Sequence, residues 1–406
     1  MGSNHHNGDP LPLPDAASPF LVLVAPTPGE RRRVWALTHT MWGVWALTHT
    51  MWGSALAAAD YVAREAYLTT VPLAREGGIA HWILTEPYRG RGYAGRMLRE
   101  LGARLADQAG TTNDQPSLFS VLYSDIGKTY YANKGWAPFS SSHLSFPPAK
   151  EAASAAIQGP VATPLGYHEL AELCPVDERL LQERLVRRVA ARAAAAAAKT
   201  AKTATAVGPS VALVPDLNTM LWHLMREDYM TKHIFGLTPT VRGALCCTRP
   251  SETATAGAVP AAGNNDDDGH RMWMVWTRGY YGGSETTEGN TLHILRVVLE
   301  DLYDDGADAD ADAAETEKVV TQRHVDAFAA LVRLAQAEAA AWMCGSVQLW
   351  NPTPAQAVLA RRSGLAYEVV DREEESIASL RWNGGGDGGS DATRVDWVAN
   401  EKFGWF

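Results

Sequence analysis

Cysteine is scarce in this sequence: the chain has four cysteines in 406 residues, and Cys246 and Cys247 are adjacent. Such a set gives neither a disulfide framework nor the spaced ligand pairs of a zinc site, so we expect a reducing compartment, the cytoplasm, and no metal. Long apolar runs are also lacking. No stretch of 18 uncharged apolar residues occurs, which predicts that no helix spans a membrane.

An excess of basic residues is missing as well. The chain has 36 Lys and Arg against 46 Asp and Glu, a formal net charge of −10. Binding to nucleic acid needs a basic surface, so neither nucleic acid nor a membrane is expected as a partner. An acidic protein is better suited to a cationic small-molecule substrate.

The length of the chain predicts more than one domain. A polar tail with prolines comes first, a domain that ends near Pro148 follows, and an alanine-rich linker separates it from a second body. The predicted bounds are 1–19 for the tail, 20–148 for the first domain, 149–163 for the linker and 164–406 for the second domain. Four low-complexity stretches of the second domain read as solvated insertions: 190–206, 251–269, 303–317 and 383–392.

An exact repeat precedes the informative motifs. The ten residues VWALTHTMWG occupy positions 34–43 and again 44–53. Ten residues is no helical period and is shorter than a solenoid unit, so a recent duplication or a gene-model artefact explains the repeat. A strand at 20–25, a helix at 55–69 and a strand at 79–84 are predicted around it.

A glycine- and arginine-rich turn follows the strand at 79–84 and opens an amphipathic helix that ends near residue 108. A pyrophosphate needs several backbone N–H donors at a helix N-terminus, and side chains there would hold it away. Glycine and small residues let the backbone approach, and arginines add positive charge. The predicted phosphate-binding residues are Arg89, Gly90, Arg91, Gly92, Tyr93 and Ala94.

Two motifs in order and at the right spacing resemble the GCN5-related N-acetyltransferase (GNAT) superfamily. Arg89-x-x-Gly92-x-Ala94 resembles the phosphate loop of that superfamily. A strand at 118–123 and a short helix that ends in Tyr131-x-x-x-Gly135-Trp136 resemble its second half. The resemblance implies an α/β (α+β) fold, a mixed sheet flanked by helices, with acetyl-CoA as co-substrate.

The resemblance also implies roles for particular residues. Pantetheine would lie between two splayed strands, where backbone N–H groups of Ile83, Leu84 and Thr85 would polarise the thioester carbonyl. The Tyr131 hydroxyl would give the departing thiolate a proton or a hydrogen bond. Ser124 is the predicted N-cap of the short helix and is counted among the cofactor-binding residues.

Further segments are similar to the fungal lysine N6-acetyltransferases of lysine catabolism. That similarity implies acetyl transfer from acetyl-CoA to the side-chain amine of free lysine. The segments are 61–68, 122–136, 222–228, 290–301, 372–382 and 397–405.

The chain departs from those enzymes in front of the phosphate loop, where one strand stands in place of several. An internal deletion or a mis-spliced gene model is indicated, and the first sheet is expected to lack strands. Beyond residue 211 the pattern is strand-rich and follows the order of a GNAT second half, although an acidic loop replaces the arginine–glycine turn. This predicts a second GNAT-like domain that holds no cofactor. Its predicted elements are strands at 211–214, 270–280, 291–301, 346–351 and 365–370, with helices at 325–343 and 354–363.

A pocket for lysine calls for carboxylates, an aromatic wall and a cationic or backbone anchor. The candidate substrate-binding residues are Glu227, Asp228, Glu375, Trp397 and Glu401. Two alternatives stay open at this point. One is an N-acetyltransferase that acts on proteins or peptides, and the other is a degenerate, non-catalytic protein that keeps the fold.

Overall fold

A computed structural model describes residues 55–68, 70–71, 90–107, 117–150, 160–198, 208–248, 271–301, 313–384 and 392–405. The helices are α1 (Ala58–Leu68), α2 (Tyr93–Asp107), α3 (Thr129–Ala132), α4 (Tyr167–Ala198), α5 (Leu217–Phe235), α6 (Ala313–Val319), α7 (Gln322–Ala341) and α8 (Pro354–Arg362). The strands are β1 (Phe119–Ser124), β2 (Ala137–Pro138), β3 (Ser142–Phe146), β4 (Thr163–Leu165), β5 (Ser210–Val211), β6 (Gly243–Cys247), β7 (Arg271–Tyr280), β8 (Asn290–Leu299), β9 (Ser346–Trp350), β10 (Glu368–Asp371), β11 (Ile377–Trp382) and β12 (Asp396–Trp397).

The largest sheet has seven strands in the order β10-β3-β9-β8-β7-β6-β4. Its neighbours are antiparallel except β8 and β9, which run parallel. A parallel pair needs a crossover, which α6 and α7 supply between these two strands. This mixed sheet with flanking helices confirms the predicted fold class.

The two long central strands, β7 and β8, are buried on both faces. Met274 of β7 belongs to the apolar cluster that contains Phe328 of α7. Its neighbour Trp273 belongs to the cluster that contains Leu224 of α5. Because successive side chains of a strand alternate between faces, one helix layer covers each side of the sheet.

Two strands lie in a sheet built mainly by the other part of the chain. β3 precedes the predicted boundary at 148, yet it pairs with β9 and β10 of the large sheet. β11 comes from the C-terminal part, yet it lies between β1 and β2 in a sheet of order β1-β11-β2. These strand pairs cross the predicted domain boundaries at 148 and 164. The boundaries themselves remain a prediction.

Helix ends are fixed by short-range signals. The Asp216 carboxylate accepts the Thr219 N–H at the start of α5, and Gly236, with φ of 70°, ends that helix. Capping boxes open α7 at Thr321 and α8 at Thr353. These ends place the side chains of α5 and α7 on the two faces of the sheet.

Most predicted elements agree with the structure. α2, β1, β7 to β10, α7 and α8 lie within three residues of their predicted bounds. The strand predicted at 211–214 is shorter, since β5 ends at Val211. Residues 313–319 form α6, so the loop predicted at 303–317 is wrong for its last part.

Several elements are not predicted from the sequence: α4, α5, β2, β3, β4, β6, β11 and β12. Residues 190–198 continue α4, so part of one predicted insertion is helical, as the high helix propensity of alanine permits. Several other predictions fall outside the described residues. These are the tail, the strands at 20–25 and 79–84, the repeat at 34–53, most of the linker and the remaining insertion residues.

Candidate active site

The glycine turn leads directly into α2. Gly90 and Gly92 have φ of 70° and 84°, in the left-handed region that favours glycine. The Arg96 N–H donates to the Gly92 carbonyl, which marks the first turn of the helix. Residues 90–92 are exposed, and a Cβ at Gly90 would meet no atom of the described residues within 4 Å. The turn at the start of α2 thus carries no side chain at Gly90 or Gly92, the composition that a phosphate cradle requires.

Two further glycines let α2 lie close to Lys134, which follows α3, and to Arg381 of β11. A Cβ at Gly95 would lie 3.1 Å from Lys134 Cε, and one at Gly102 would lie 2.6 Å from Arg381 Nη1. The two positions are seven residues apart and so share one face of the helix. Lys134, next to the first turn of α2, is a cation that the sequence analysis did not select.

The short helix α3 presents Tyr131. The Trp136 N–H donates to the Tyr131 carbonyl at 3.1 Å, and Gly135 turns the chain with φ of 99°. The Tyr130 ring meets the Tyr131 ring edge-on, with 5.3 Å between centroids. Burial, followed by the nearby Tyr130 and Asp125, raises the pKa of Tyr131 to about 12. The Tyr131 hydroxyl is therefore protonated at neutral pH and can act as a donor.

The sequence predicts Ser124 as the N-cap of α3, and this prediction is wrong. Lys128 holds that position, without a side-chain cap. The buried Ser124 hydroxyl donates to the Gly127 carbonyl at 2.7 Å and accepts the Ile126 N–H at 3.2 Å. It therefore closes the turn between β1 and α3, and its role toward a cofactor stays a prediction.

The same turn is tied to residues 372–376. The Asp125 carboxylate accepts the Ser376 N–H at 2.9 Å. Lys128 Nζ lies 2.6 Å from Glu373 Oε2. The Gly127 N–H donates to the Glu374 carbonyl at 2.8 Å. The loop before β11 is thereby held against the helix that carries Tyr131.

Two of the predicted substrate-binding acids belong to an arginine network. Glu227 is buried and lies 2.8 Å from Arg242 Nη1 and 2.6 Å from Arg278 Nη1. Asp228 also pairs with Arg242, and it accepts the Tyr167 hydroxyl at 2.6 Å. Both carboxylates have cationic partners within the protein, which indicates a structural role.

The remaining candidates do not converge either. The buried Glu401 pairs with Arg296 and accepts the Val297 N–H at 3.1 Å, while Glu375 is exposed. Only Trp397 lies beside β1, where its ring centroid is 6.2 Å from that of Tyr123. The structure thus does not assemble the five predicted residues into one pocket.

A different group of side chains converges on Trp350, at the end of β9. We call Trp350, Trp405, Lys402, Arg372 and His293 the Trp350 cluster. Arg372 Cζ lies 3.9 Å from the Trp350 centroid, and Lys402 Nζ lies 4.4 Å from it and 3.2 Å from the Trp405 centroid. The His293 ring stands edge-on to Trp350 at 5.8 Å.

The sequence carried a signal for this cluster. Arg372 opens one of the segments that resemble the lysine acetyltransferases, and Lys402 and Trp405 lie in another. The acidic residues of those segments, Glu375 and Glu401, are instead predicted from the sequence, since the ammonium groups of lysine require anionic partners.

One family comparison gives a match. The family described as the LYC1 GNAT-like C-terminal domain matches residues 143–406, well over half of the chain. The chain belongs to this family. Comparison with curated proteins and comparison with solved structures each gave no match.

The match begins at His143, within β3, so it includes the strand that completes the large sheet. Membership places the chain in the GNAT superfamily, resembling LYC1 lysine acetyltransferases. It supports N-acetyltransferase activity in general, with acetyl-CoA as the acyl donor.

The described residues contain neither a membrane-spanning helix nor a cluster of metal ligands. In that part of the chain, no helix combines the length and apolar character needed to cross a bilayer. Nor do three or more His, Cys, Asp or Glu side chains come together there as ligands for a metal ion.

Proposed function

We propose that this protein transfers the acetyl group of acetyl-CoA to the side-chain amine of free lysine. The observation that carries the proposal is the exposed glycine turn at the start of α2, which lies beside the helix bearing Tyr131. Family membership supports acyl transfer from acetyl-CoA. The choice of lysine rests on the similarity of six segments to lysine N6-acetyltransferases.

The residues present fit the cofactor. Gly90 and Gly92 place no side chain in the exposed turn before α2, and Arg91 is exposed beside them. The Lys134 side chain lies against Gly95, about one helical turn beyond Gly92. Backbone donors, a helix N-terminus and cations are the groups that hold a pyrophosphate. Arg89 and the strand with Ile83, Leu84 and Thr85 lie outside the described residues, so their contacts stay a prediction.

Acetyl-CoA supplies an acyl carbon activated as a thioester. The neutral amine of the substrate attacks this carbon, a C–N bond forms and the C–S bond breaks. The amine nitrogen loses one proton and the sulfur gains one, so the products are the N-acetyl amine and free thiol. The protein's task is to hold both reactants in line and to stabilise the departing sulfur.

Tyr131 is placed to stabilise that sulfur. Its pKa of about 12 is higher than that of an ordinary thiol, about 8.5. Complete proton transfer from the hydroxyl to a thiolate is therefore uphill, and we assign Tyr131 a hydrogen bond to the sulfur. The proton that finally reaches the sulfur comes from the attacking amine, directly or through water.

The proposal takes a small-molecule amine as the partner and gives no role to nucleic acid or a membrane. The two alternatives from the sequence differ from it in measurable ways. A peptide acetyltransferase would act on lysine within a blocked peptide. A non-catalytic protein would release no thiol with either substrate.

Calorimetric titration of the purified protein with acetyl-CoA, followed by a thiol-release assay, tests the proposal. We expect saturable acetyl-CoA binding and release that depends on free lysine. Absence of binding at millimolar acetyl-CoA contradicts the enzyme proposal. Release with a blocked lysine peptide but not with free lysine replaces the proposed substrate by a peptide.

A further inference from the structure

Lys402 is a buried cation that has no anionic partner among the described residues. Its side chain is 3% exposed, and its Nζ lies over the rings of Trp350 and Trp405. No carboxylate or other acceptor of the described residues lies within bonding distance of it. Burying a charge without a partner costs several kcal/mol, roughly, so an anionic ligand beside Lys402 would stabilise its ammonium form.

Other buried polar atoms around Lys402 also lack partners in the described part of the chain. Both ring nitrogens of His293, the Tyr123 hydroxyl and Arg372 Nε have none. Arg372 is nevertheless held in place, because it donates to the Ser142 carbonyl at 2.8 Å and stacks on Trp350. The Arg372 Nη2 atom also has a partner, Asn351 Oδ1 at 3.3 Å, so Nε is the Arg372 donor that has no acceptor among the described residues.

The local charge is positive. Burial and the neighbouring Arg226 and Arg372 lower the pKa of Lys402 well below its usual range. Burial, followed by Lys402, His143, Arg226 and His223, lowers the pKa of His293 in the same direction. Asp125 is the acid that opposes this effect on Lys402, and it lies on the turn tied to residues 372–376. An ammonium group is repelled from such a place, whereas a carboxylate is attracted.

The position of the cluster relates it to the transfer site. Lys402 lies in the short turn Lys402–Gly404, and a Cβ at Gly404 would lie 2.6 Å from the Tyr123 hydroxyl. Tyr123 is the penultimate residue of β1, the strand that leads into α3 and Tyr131. Asp125 bears on the pKa of both Tyr131 and Lys402. The cluster and Tyr131 therefore both lie near the turn that contains Asp125.

We propose that Lys402, Arg372 and Tyr123 bind the α-carboxylate of the amino-acid substrate, while its side-chain amine extends toward Tyr131. The inference rests on the proposed function and deepens it by naming the substrate class: a free amino acid with an amine at the far end. A lysine within a peptide has no free carboxylate at this position. These three donors would thus favour the free amino acid over a peptide.

Equilibrium titration of the full chain, in the absence of acetyl-CoA, tests this assignment. The probes are lysine, 6-aminohexanoate, which keeps the carboxylate, and 1,5-diaminopentane, which lacks it. We expect lysine and 6-aminohexanoate to bind about 10- to 100-fold more tightly than 1,5-diaminopentane. This factor corresponds to the free energy of a hydrogen bond between charged groups. Lys402→Met should remove this preference and leave the affinity for the diamine unchanged.

Lys232→Met, at an exposed lysine of α5, is the matched control and should keep the preference. Lys402→Met removes an unpartnered buried charge, so its Tm should equal or exceed that of the wild type. If that variant does not fold, Tyr123→Phe replaces it, because it deletes a hydroxyl that has no protein partner. The Tyr123 variant should weaken lysine and 6-aminohexanoate several-fold and spare the diamine.

The outcomes separate this inference from the proposed function. Equal binding of lysine and the diamine, no binding of either, or an unchanged preference in Lys402→Met overturns the carboxylate site. Acetyl transfer to lysine and diamine alike overturns it as well, while acetyl transfer itself stands. Preferential lysine binding without thiol release keeps the site and contradicts the transferase.

Discussion

Replacing Glu227 by Gln distinguishes a structural acid from a substrate-binding one. The Glu227 carboxylate lies 2.8 Å from Arg242 Nη1 and 2.6 Å from Arg278 Nη1, and all three side chains are at most 1% exposed. Glutamine keeps the volume but removes the charge. Two buried guanidinium groups then lose a counter-ion, which is the situation in which breaking a buried pair costs about 3–5 kcal/mol.

The lower end of that range applies here because each arginine keeps another acid. Arg242 retains Asp228, and Arg278 retains Glu338 at 2.5 Å. We therefore expect the free energy of unfolding to fall by about 3 kcal/mol, a decrease in Tm of roughly 6–12 °C. If Glu227 has only this structural role, the KM for lysine should stay at the wild-type value at a temperature where the variant is folded.

Denaturant unfolding and steady-state kinetics measure the two quantities on one preparation. Asp228→Asn is the control, since that side chain is 29% exposed and should lose only about 1 kcal/mol. A Glu227→Gln variant with normal stability and a KM raised tenfold would refute the reasoning. It would restore Glu227 to the substrate pocket.

Three further predictions concern the transfer site. Tyr131→Phe should lower kcat about 100-fold in the thiol-release assay without changing acetyl-CoA affinity. Tyr130→Phe, the control, should keep a kcat near the wild-type value. Equal rates for the two variants would show that Tyr131 takes no part in the chemistry. Gly90→Ala should weaken acetyl-CoA binding about 10-fold, as measured by calorimetry, because a methyl group enters the cradle. Gly236→Ala is the control and should leave binding intact. Gly236 has the same φ of 70°, and a Cβ there would likewise meet no atom of the described residues within 4 Å. Since the active hydroxyl of Tyr131 is the protonated form and its pKa is raised to about 12, kcat should show no alkaline decline near pH 10, and a decline there that Tyr131→Phe abolishes would contradict the assignment.

The local parts of this fold could be predicted from the sequence. Apolar runs and glycine breaks located β7 to β10, α7 and α8, and the Gly90–Gly92 turn was evident from its composition. The helices α4 and α5 were missed for identifiable reasons. α4 contains Pro175 and ends in an alanine run that has little to bury, and the buried side of α5 includes the polar residues Thr219, His223, Glu227 and Thr231.

The site could be predicted only where it is local in sequence. Tyr131 and the glycine turn each belong to one continuous motif. The Trp350 cluster depends on β3 entering the large sheet between β9 and β10, which brings His143 within 3.4 Å of Arg372. Charged residues are expected at the surface, so the burial of Lys402 is not evident until the strands are placed.

Analysis of the product tests the central claim most directly. Lysine is incubated with acetyl-CoA and the protein, and the position of the acetyl group is assigned by NMR or tandem mass spectrometry. We expect acetylation of the side-chain nitrogen, with product formation by the Tyr131→Phe variant about 100-fold slower. Acetylation of the α-amine, or no acetylated lysine at all with the wild-type protein, would contradict the account.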